Sequence, residues 1–333
     1  MGEGYTIAVA GTSRTFPCAA DDTLLGAALR AGIGIAYECA SGGCGSCRVD
    51  LCDGAVDLAY PASPGLKPRD FERGRRLACM SRPTRDCAIR FREEAAAIPV
   101  TPPRRRVARL EARRPVTRDI DEFDFAFGQE APFLAGQFAL LQLPGLPSAR
   151  AYSMANVPGG RHWQFMIRRV PGGDATRILF DLRPGDLVEI DGPYSTAHFR
   201  ADSPRDTVCV AGGSGLAPVL SVARAALADT GRARCRVHFF YGARTLADMV
   251  TPEALGLADE RVTFHPVLSE PDGQGWPGET GYVHEALDRL LPGEWADHDF
   301  YLAGPPPMVE AVRRLLLLDR GVPADRVYYD RFF

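Results

Sequence analysis

The last third of the chain alternates short apolar runs with amphipathic segments. Runs of roughly four to eight apolar residues are typical of buried strands, and apolar positions spaced three or four residues apart indicate helices. The pattern predicts the strands Thr207–Ala211, Arg236–Tyr241, Arg261–Leu268, Phe300–Ala303 and Val327–Tyr329 and the helices Leu216–Ala228, Val283–Leu291 and Pro306–Leu318. Because these strands alternate with helices, residues 205–333 are expected to form a doubly wound parallel α/β domain.

The middle of the chain has short strand patterns interrupted by Gly and Pro, with little helix. The predicted strands are Ile120–Phe127, Gln137–Leu143, Trp163–Val170 and Asp186–Ile190, and one helix is expected near Thr176–Leu182. Closely spaced strands of this kind predict an antiparallel β-barrel over residues 107–204. Residues 98–106 contain three prolines followed by three arginines, which predicts a linker with a solvated arginine face. An N-terminal domain of residues 1–97 precedes it.

Length and composition fit a globular protein of several domains. The 333 residues are 46% hydrophobic and 24% charged, and the net charge of −3 gives no field for binding nucleic acid. No run approaches the roughly 18 apolar residues of a membrane span, and the N-terminus lacks the pattern of a secretory signal. Gly2 fits a myristoylation pattern that we attribute to chance. We expect a cytoplasmic protein, so its nine cysteines need an explanation other than disulfides.

Seven cysteines lie in the first 97 residues, and three of them have a spacing with chemical meaning. Cys39, Cys44 and Cys47 form the pattern C-x4-C-x2-C, with Cys79 further along, which is the plant-type 2Fe–2S spacing. The residues between them are small, so backbone N–H groups can approach the sulfurs. A zinc site that includes Cys52 fits less well, since structural zinc sites use separated C-x2-C pairs. The other cysteines are expected to be small core residues, namely Cys18, Cys52, Cys87, Cys209 and Cys235.

The cluster sequence resembles a known family. Residues 37–47, YECASGGCGSC, and the later Leu77-Ala78-Cys79 resemble the N-terminal ferredoxin domain of bacterial oxygenase reductases in the ferredoxin–NADP reductase superfamily. This resemblance implies a plant-type ferredoxin domain of the β-grasp fold, an antiparallel flavin-binding barrel and a nucleotide-binding α/β domain. It also implies that Cys39, Cys44, Cys47 and Cys79 hold a 2Fe–2S cluster.

A flavin site is implied by a second motif. Arg150-Ala151-Tyr152-Ser153 resembles the superfamily motif R-x-Y-S, although an ordinary barrel strand is the alternative interpretation. The Arg150 guanidinium suits a pyrophosphate, the Tyr152 ring offers a stacking face for isoalloxazine, and the Ser153 hydroxyl suits the flavin N5 region. Gly173 and Thr176 open a helix whose N–H groups suit a phosphate. The order of domains favours FAD over FMN by analogy with the family.

A nicotinamide site is implied by a third motif. Gly212-Gly213-Ser214-Gly215 fails the G-x-G-x-x-G, G-x-S-x-G and P-loop patterns but resembles the superfamily loop that binds the dinucleotide pyrophosphate. A tight turn between strand and helix is the alternative. Arg244 and Asp248 follow the next strand, where the adenosine half is expected, and a single basic residue there favours NADH over NADPH.

Two further features lie near the end of the chain. Gly304-Pro305 resembles the nicotinamide-side motif, which often begins with cysteine, whereas this sequence has Ala303. The resemblance implies that Phe333 or Phe332 covers the flavin, and a packed chain end is the alternative. The six histidines have no metal-ligand spacing and are expected to be structural.

Together these motifs predict an NADH-dependent reductase that passes electrons through FAD and a 2Fe–2S cluster, with Tyr152, Ser153 and Phe333 at the flavin. The implied acceptor is the oxygenase component of a hydrocarbon monooxygenase of the toluene or alkene type, or an intermediate Rieske-type ferredoxin. Reductases of ring-hydroxylating dioxygenases or of deoxysugar synthesis are alternatives, and an iron–sulfur redox sensor is less favoured. Three acidic residues near the cluster suggest docking to a basic partner, and ordinary solvated carboxylates are the alternative interpretation; they are Glu38, Asp50 and Asp53. We expect a monomer, with neither nucleic acid nor membrane as a partner.

Overall fold

A computed structural model describes residues 4–60, 63–271 and 275–332 of the chain. They form an N-terminal mixed α+β domain, a β-barrel and a C-terminal α/β domain. Within these ranges no helix has the length and apolarity needed to cross a membrane. Phe333, which the family resemblance places over the flavin, lies outside the described residues.

The N-terminal domain is a five-stranded mixed sheet with one helix packed against it. Its strands run β2-β1-β7-β3-β5, with β1 parallel to β7, and β4 and β6 form a separate ribbon. Helix α1 begins after Thr23, whose hydroxyl accepts the Gly26 N–H at 3.1 Å. The elements are β1 Gly4–Val9, β2 Thr15–Ala19, α1 Leu24–Arg30, β3 Arg48–Asp53, β4 Val56–Leu58, α2 Pro68–Glu72, β5 Arg75–Leu77, β6 Ser81–Pro83 and β7 Cys87–Arg90.

The middle domain is an antiparallel barrel, as predicted. Its strands run β11-β10-β13-β8-β9-β12, and a bridge between Met154 and Phe165 joins the two ends of the sheet. Alternate residues of each strand face the barrel core, where Phe125, Trp163 and Phe165 are fully buried. The elements are β8 Arg104–Pro115, β9 Ile120–Phe127, β10 Phe138–Gln142, β11 Arg150–Ser153, β12 His162–Arg168, α3 Asp174–Asp181 and β13 Leu187–Tyr194.

The predicted linker of residues 98–106 extends too far toward the C-terminus, because β8 already begins at Arg104. Its arginines are not a free solvated face. Arg105 forms ion pairs with Asp21 at 2.7 Å and Asp22 at 3.0 Å, which ties the barrel to the N-terminal domain. The hydrophobic pattern did not predict the start of this strand because its first three residues are charged.

The C-terminal domain is a six-stranded parallel sheet in the order β17-β16-β15-β14-β18-β19. Helix α4 packs on one face, and α5 and α6 pack on the other, so alternate strand residues enter two cores. The elements are β14 Asp206–Gly212, α4 Leu216–Ala228, β15 Val237–Ala243, β16 Val262–Leu268, β17 Glu279–Thr280, α5 Val283–Leu290, β18 His298–Gly304, α6 Pro306–Arg314 and β19 Val327–Arg331. The predicted helix to Leu318 ends its α-helical part at Arg314, and a π-helical turn follows over Leu315–Asp319.

The barrel also contributes to the core of the N-terminal domain. Phe138 and Tyr194 stack with ring centroids 5.9 Å apart and belong to that core, and Tyr37 meets the Tyr194 ring edge-on at 6.2 Å. Arg30 pairs with Asp191 at 2.7 Å beside them. This shared packing holds the cysteine-rich loop of residues 39–47 against the barrel.

Candidate functional site

The four cysteines with the predicted cluster spacing come together and form two pairs. The Cys47 and Cys79 sulfurs are 3.2 Å apart, and the Cys39 and Cys44 side chains are hydrogen-bonded to each other. The Cys39 sulfur also accepts backbone N–H groups from Ser41 at 3.5 Å and Cys44 at 3.3 Å. Two pairs of thiols, with N–H donors directed at sulfur, are the donor set that a two-iron cluster requires.

The fold of the cysteine loop depends on close backbone contact with a second segment. Gly65 donates its N–H to the Gly42 carbonyl at 3.0 Å, and a Cβ on Gly65 would overlap the backbone of Gly42 and Gly45. Gly42 and Gly45 have φ of +86° and +78°, which favours glycine. The sequence motif did not identify Gly65, because its role arises only when the two segments pack together.

Hydrogen bonding prepares one of these thiols for deprotonation. The hydrogen bond from Cys44, followed by the backbone N–H groups, lowers the pKa of Cys39 despite its burial. The same hydrogen bond raises the pKa of Cys44, so the pair holds one thiolate, on Cys39, and metal ligation would displace the proton from Cys44. The donor set and its surroundings therefore fit a 2Fe–2S cluster.

All nine cysteines lie in the described residues and are free thiols. Cys18, Cys87 and Cys209 are buried, as expected of small core residues. Cys52 was expected in the core but is exposed, because it lies near the end of β3 where the pairing with β7 is irregular.

A cleft of about 570 Å³ adjoins the cysteine loop, a size typical of cofactor sites. All three domains contribute to its wall. Cys39 and Ser41 come from the cysteine loop, and further lining residues are Arg150, Tyr152, Ser153, Gly173, Thr176, Gly212, Gly213, Ser214, Pro305, Asp330 and Phe332. The structure thus brings most of the predicted flavin and nicotinamide residues to one cavity beside the predicted cluster ligands.

The barrel strand β11 supplies one side of this cleft. The Arg150 guanidinium donates to the Ser148 carbonyl at 2.9 Å and hydroxyl at 2.7 Å, which holds the side chain near the cleft wall. Burial raises the pKa of Tyr152 to about 12, so its phenol is neutral at physiological pH. Ser153 is buried on the same strand. A cation, a neutral aromatic ring and a hydroxyl in this order suit a flavin dinucleotide.

The start of helix α3 forms another part of the wall. The Thr176 hydroxyl accepts the Val170 N–H at 3.2 Å and donates to the Gly173 carbonyl at 3.1 Å. These two hydrogen bonds of the Thr176 hydroxyl stabilise the loop that precedes the helix. The first N–H groups of α3 remain the group suited to a phosphate.

The glycine loop after β14 has two different requirements for glycine. Gly213 has φ of +56° and open space where a Cβ would stand, so its backbone can approach a ligand. Gly215 has an ordinary φ, but a Cβ there would overlap the Ala303 carbonyl. The loop is thereby pressed against the Gly304-Pro305 turn at the carboxyl ends of β14 and β18, where nucleotides bind in open α/β sheets.

A smaller cavity of about 200 Å³ continues from this loop toward Arg244 and Asp248. Asp248 accepts two hydrogen bonds from Arg118, at 2.8 and 3.2 Å, and lies 3.6 Å from the Arg244 guanidinium. Arg118 belongs to the turn between β8 and β9, and no sequence motif indicated it. The carboxylate of Asp248 therefore lies between two guanidinium groups and partly neutralises their positive charge.

The last strand closes the cleft against the cysteine loop. Arg331 pairs with Glu38 through two contacts of 2.7 and 2.6 Å, and Phe332 donates its N–H to the Gly304 carbonyl. The proposed docking role of Glu38 is therefore wrong, since the side chain is only 13% exposed and paired within the chain. Asp330 accepts from the Ser195 hydroxyl, and burial raises its pKa to about 8.

Comparison with protein-family models divides the chain in the same way. Residues 7–84 match a 2Fe-2S iron-sulfur cluster binding domain, residues 107–199 an oxidoreductase FAD-binding domain, and residues 209–314 an oxidoreductase NAD-binding domain. The chain is 38% identical to the ferredoxin–NAD(P)(+) reductase CarAd of Metapseudomonas resinovorans over 321 residues. The alignment covers 95% of this chain and 96% of that protein. The chain belongs to this ferredoxin reductase family.

Other relatives share the three-domain layout. The ferredoxin–NAD(+) reductase component of the alkene monooxygenase system of Xanthobacter autotrophicus is 41% identical over 328 residues, covering 96% of this chain and 98% of that protein. The ferredoxin reductase in carbazole 1,9a-dioxygenase superposes with a TM-score of 0.92 at 35% identity, covering 99% of each chain. The predicted fold class, the NADH-dependent oxidoreductase activity and the cofactors 2Fe–2S, FAD and NADH are confirmed.

Proposed function

We propose that this chain is the reductase component of a bacterial multicomponent oxygenase system and that its direct acceptor is a small ferredoxin. Two relatives above carry ferredoxin reductase in their names, one from an alkene monooxygenase system and one a ferredoxin–NAD(P)(+) reductase. A relative from a naphthalene 1,2-dioxygenase system is 33% identical over 330 residues. A monooxygenase system of the alkene type is our first choice, and a ring-hydroxylating dioxygenase system is the second. These relatives do not favour the deoxysugar or redox-sensor alternatives.

One observation carries the electron-transfer proposal: Cys39 of the cysteine loop lines the same cleft as Tyr152 and the glycine loop at Gly213. Electron transfer slows steeply with distance, so donor, flavin and cluster sites must adjoin one another. Bound FAD accepts hydride from NADH and can release electrons singly to a 2Fe–2S cluster.

The side chains around the cleft position the cofactors rather than react themselves. We assign the flavin pyrophosphate to Arg150 and the first N–H groups of α3, and the ring to Tyr152 and Ser153. The dinucleotide pyrophosphate would lie on the open face of Gly213, with the adenosine ribose near Asp248. We assign Phe332, which lines the cleft, to the cover of the flavin, and the role of Phe333 stays a prediction.

The acceptor must approach the cysteine loop from outside, and the surface there is basic. Arg48 donates to the Gly45 carbonyl at 2.9 Å, and the segment that packs on the loop at Gly65 leads directly into α2. The exposed cations of this basic patch are Arg48, Lys67, Arg69 and Arg73, whereas Asp50 and Glu72 are exposed acids near them, and Asp50 pairs with Arg75 at 3.7 Å. Charge complementarity therefore favours an acidic ferredoxin as acceptor.

Anaerobic titration with NADH tests the cofactor sequence. We expect an excess of NADH to bleach the flavin absorbance and to produce the rhombic EPR signal of a reduced 2Fe–2S cluster, since FAD and one cluster together accept three electrons and each NADH supplies two. A protein that stays colourless after reconstitution with iron, sulfide and FAD would contradict the proposal.

The Cys44→Ser substitution tests the order of transfer. Loss of the cluster should abolish reduction of cytochrome c, while reduction of the flavin by NADH, measured with ferricyanide, should persist. The matched control is Cys52→Ser, which changes an exposed cysteine outside the cluster loop and should retain both activities. Equal loss of both activities in Cys44→Ser, with FAD content intact, would contradict this order.

We also propose that the chain acts as a cytoplasmic monomer. The cleft is built from a single chain, and the free thiols of all nine cysteines suit a reducing compartment.

A further inference from the structure

Two histidines and an aspartate that are far apart in the sequence meet at one edge of the C-terminal sheet. Asp206, His238 and His298 lie at or near the starts of β14, β15 and β18, which are adjacent strands. One ligand atom from each side chain lies within 4.8 Å of the others. None of these residues takes part in the redox site described above.

We propose that Asp206, His238 and His298 bind a divalent transition-metal ion such as zinc. Imidazole nitrogen and carboxylate oxygen are ligands that zinc accepts at about 2.0–2.2 Å, so only small side-chain movements would bring these atoms onto one ion. Water would complete a four-coordinate shell.

His298 is oriented as a metal-binding histidine usually is. Its Nδ1 lies 3.0 Å from the Glu294 carbonyl, and because a carbonyl can only accept, Nδ1 carries the proton. The Nε2 lone pair of His298 is then free to bind a metal. A carbonyl or carboxylate on the other ring nitrogen is the arrangement that fixes the tautomer of ligating histidines.

His238 provides the independent observation that a ligand is missing. Its side chain is 3% exposed, and its Nδ1 has no hydrogen-bond partner among the described residues. A buried nitrogen without a partner is costly, and a metal ion at this place would remove that cost.

Asp206 supplies the negative charge. Its Oδ1 accepts the Arg236 N–H at 2.8 Å, which fixes the carboxylate and leaves Oδ2 available. The site lies at the amino end of β14, and the nucleotide loop begins at Gly212 at the other end of the same strand, about 20 Å away. The metal would therefore join three strands and take no part in electron transfer.

The test uses the holoprotein with FAD and cluster bound, so that the cluster cysteines are occupied. Equilibrium dialysis against micromolar zinc chloride, followed by elemental analysis, should give one zinc per chain for the wild type. Asp206→Asn and His298→Gln should bind zinc at least about tenfold more weakly. His284→Gln removes a histidine elsewhere in the domain and should bind as the wild type does.

Asp206→Asn keeps an acceptor for the Arg236 N–H, so it should fold even if a histidine variant does not. FAD content and NADH–ferricyanide activity, which depend on the opposite edge of the sheet, should be unchanged in both variants. Zinc should raise the melting temperature of the wild type and of His284→Gln but not of the two site variants. Absence of zinc from the wild type, or equal binding by Asp206→Asn and His298→Gln, would overturn the proposal.

Discussion

At the scale of single residues, Asp248 affects the charge of the pocket proposed for the adenosine half of the dinucleotide. Its carboxylate lies between Arg118 and Arg244 and accepts two hydrogen bonds from Arg118. With Asp248 ionised, the pocket has little attraction for a 2′-phosphate. Without it, two guanidinium groups would face the position where that phosphate would lie.

Asp248→Asn should therefore shift cofactor preference toward NADPH. We expect the ratio of kcat/KM for NADPH to that for NADH to rise about tenfold, which corresponds to about 1.4 kcal/mol of electrostatic free energy. Steady-state ferricyanide reduction measures this ratio. Asp288→Asn, which changes an acid paired with Arg320 on the surface, should leave the ratio unchanged. A ratio for Asp248→Asn equal to that of the wild type would mean that the adenosine ribose lies elsewhere.

Residue-level prediction succeeded where the chemistry is local in sequence. Cys39, Cys44 and Cys47 occupy nine residues, so spacing alone indicated their shared role. Asp206, His238 and His298 span 93 positions and meet only because parallel strands start at the same sheet edge. Arg118 and Gly65 likewise act through contacts between distant segments, and no motif marks them.

At the scale of elements, the turn after β14 and the turn after β18 must fit each other. Gly215 faces the Ala303 carbonyl without room for a Cβ, whereas Gly213 has room but an unusual φ. The two glycines should therefore respond differently to the same substitution. One depends on packing between elements, and the other on its own backbone conformation.

Gly215→Ala should lower the free energy of unfolding by about 1–3 kcal/mol or more, because the added methyl pushes two backbone segments apart. It should also raise the KM for NADH by displacing the Gly304-Pro305 turn. Gly213→Ala should cost about 1–2 kcal/mol through its positive φ, and its methyl should also raise the KM for NADH because it would occupy the open face proposed for the pyrophosphate. Urea unfolding of the holoprotein and NADH kinetics measure these effects. A free energy of unfolding for Gly215→Ala equal to that of the wild type would contradict this account.

The hydrophobic pattern predicted where most helices and strands begin and end, with differences at β8 and α6. Strand β8 begins within a run of three arginines, and the hydrophobic pattern assigned that run to the linker. Helix α6 loses its α-helical hydrogen bonding after Arg314, although the apolar run Leu315–Leu318 continues. The first difference involves ion pairs of Arg105 with another domain, which a local pattern does not contain.

At the scale of the whole molecule, the three domains meet around Ser195. Its backbone N–H donates to the Tyr37 hydroxyl of the N-terminal domain at 2.9 Å, and its hydroxyl donates to Asp330 of the last strand at 3.2 Å. The ion pair between Glu38 and Arg331 lies next to this junction. The motifs predicted the order of the domains. They did not predict this junction, because it forms only when three separate segments of the chain come together.

Breaking the Glu38–Arg331 pair should weaken coupling between flavin and cluster. Glu38→Gln should leave ferricyanide reduction intact but slow cytochrome c reduction, because the contact between the cysteine loop and the last strand is weakened. Gln keeps one acceptor oxygen but loses the other and the negative charge, which should lower the free energy of unfolding by about 1.5–3 kcal/mol. Arg320→Gln breaks an exposed pair with Asp288 and should cost no more than about 1 kcal/mol. A Glu38→Gln variant with wild-type rates for both acceptors would show that the pair has no positioning role.

The proposed basic patch of Arg48, Lys67, Arg69 and Arg73 would set the acceptor preference of the whole molecule. Although the net charge is −3, these cations beside the cysteine loop would steer an acidic partner within a Debye length of about 10 Å at moderate salt. The double substitution Lys67→Glu with Arg69→Glu should raise the KM for an acidic ferredoxin about tenfold and accelerate reduction of the basic cytochrome c. Stopped-flow or steady-state reduction at several ionic strengths measures both changes.

The matched control is Arg183→Glu with Arg234→Glu, which makes the same change in net charge on exposed positions of the other two domains. If docking occurs at the basic patch, this control should leave both acceptors nearly unaffected, and the salt dependence should flatten only in the patch variant. Equal effects of the two double variants would mean that net charge, rather than a docking surface, governs acceptor choice. Glu38 is paired with Arg331 within the chain, so its carboxylate does not offset the exposed cations of the patch.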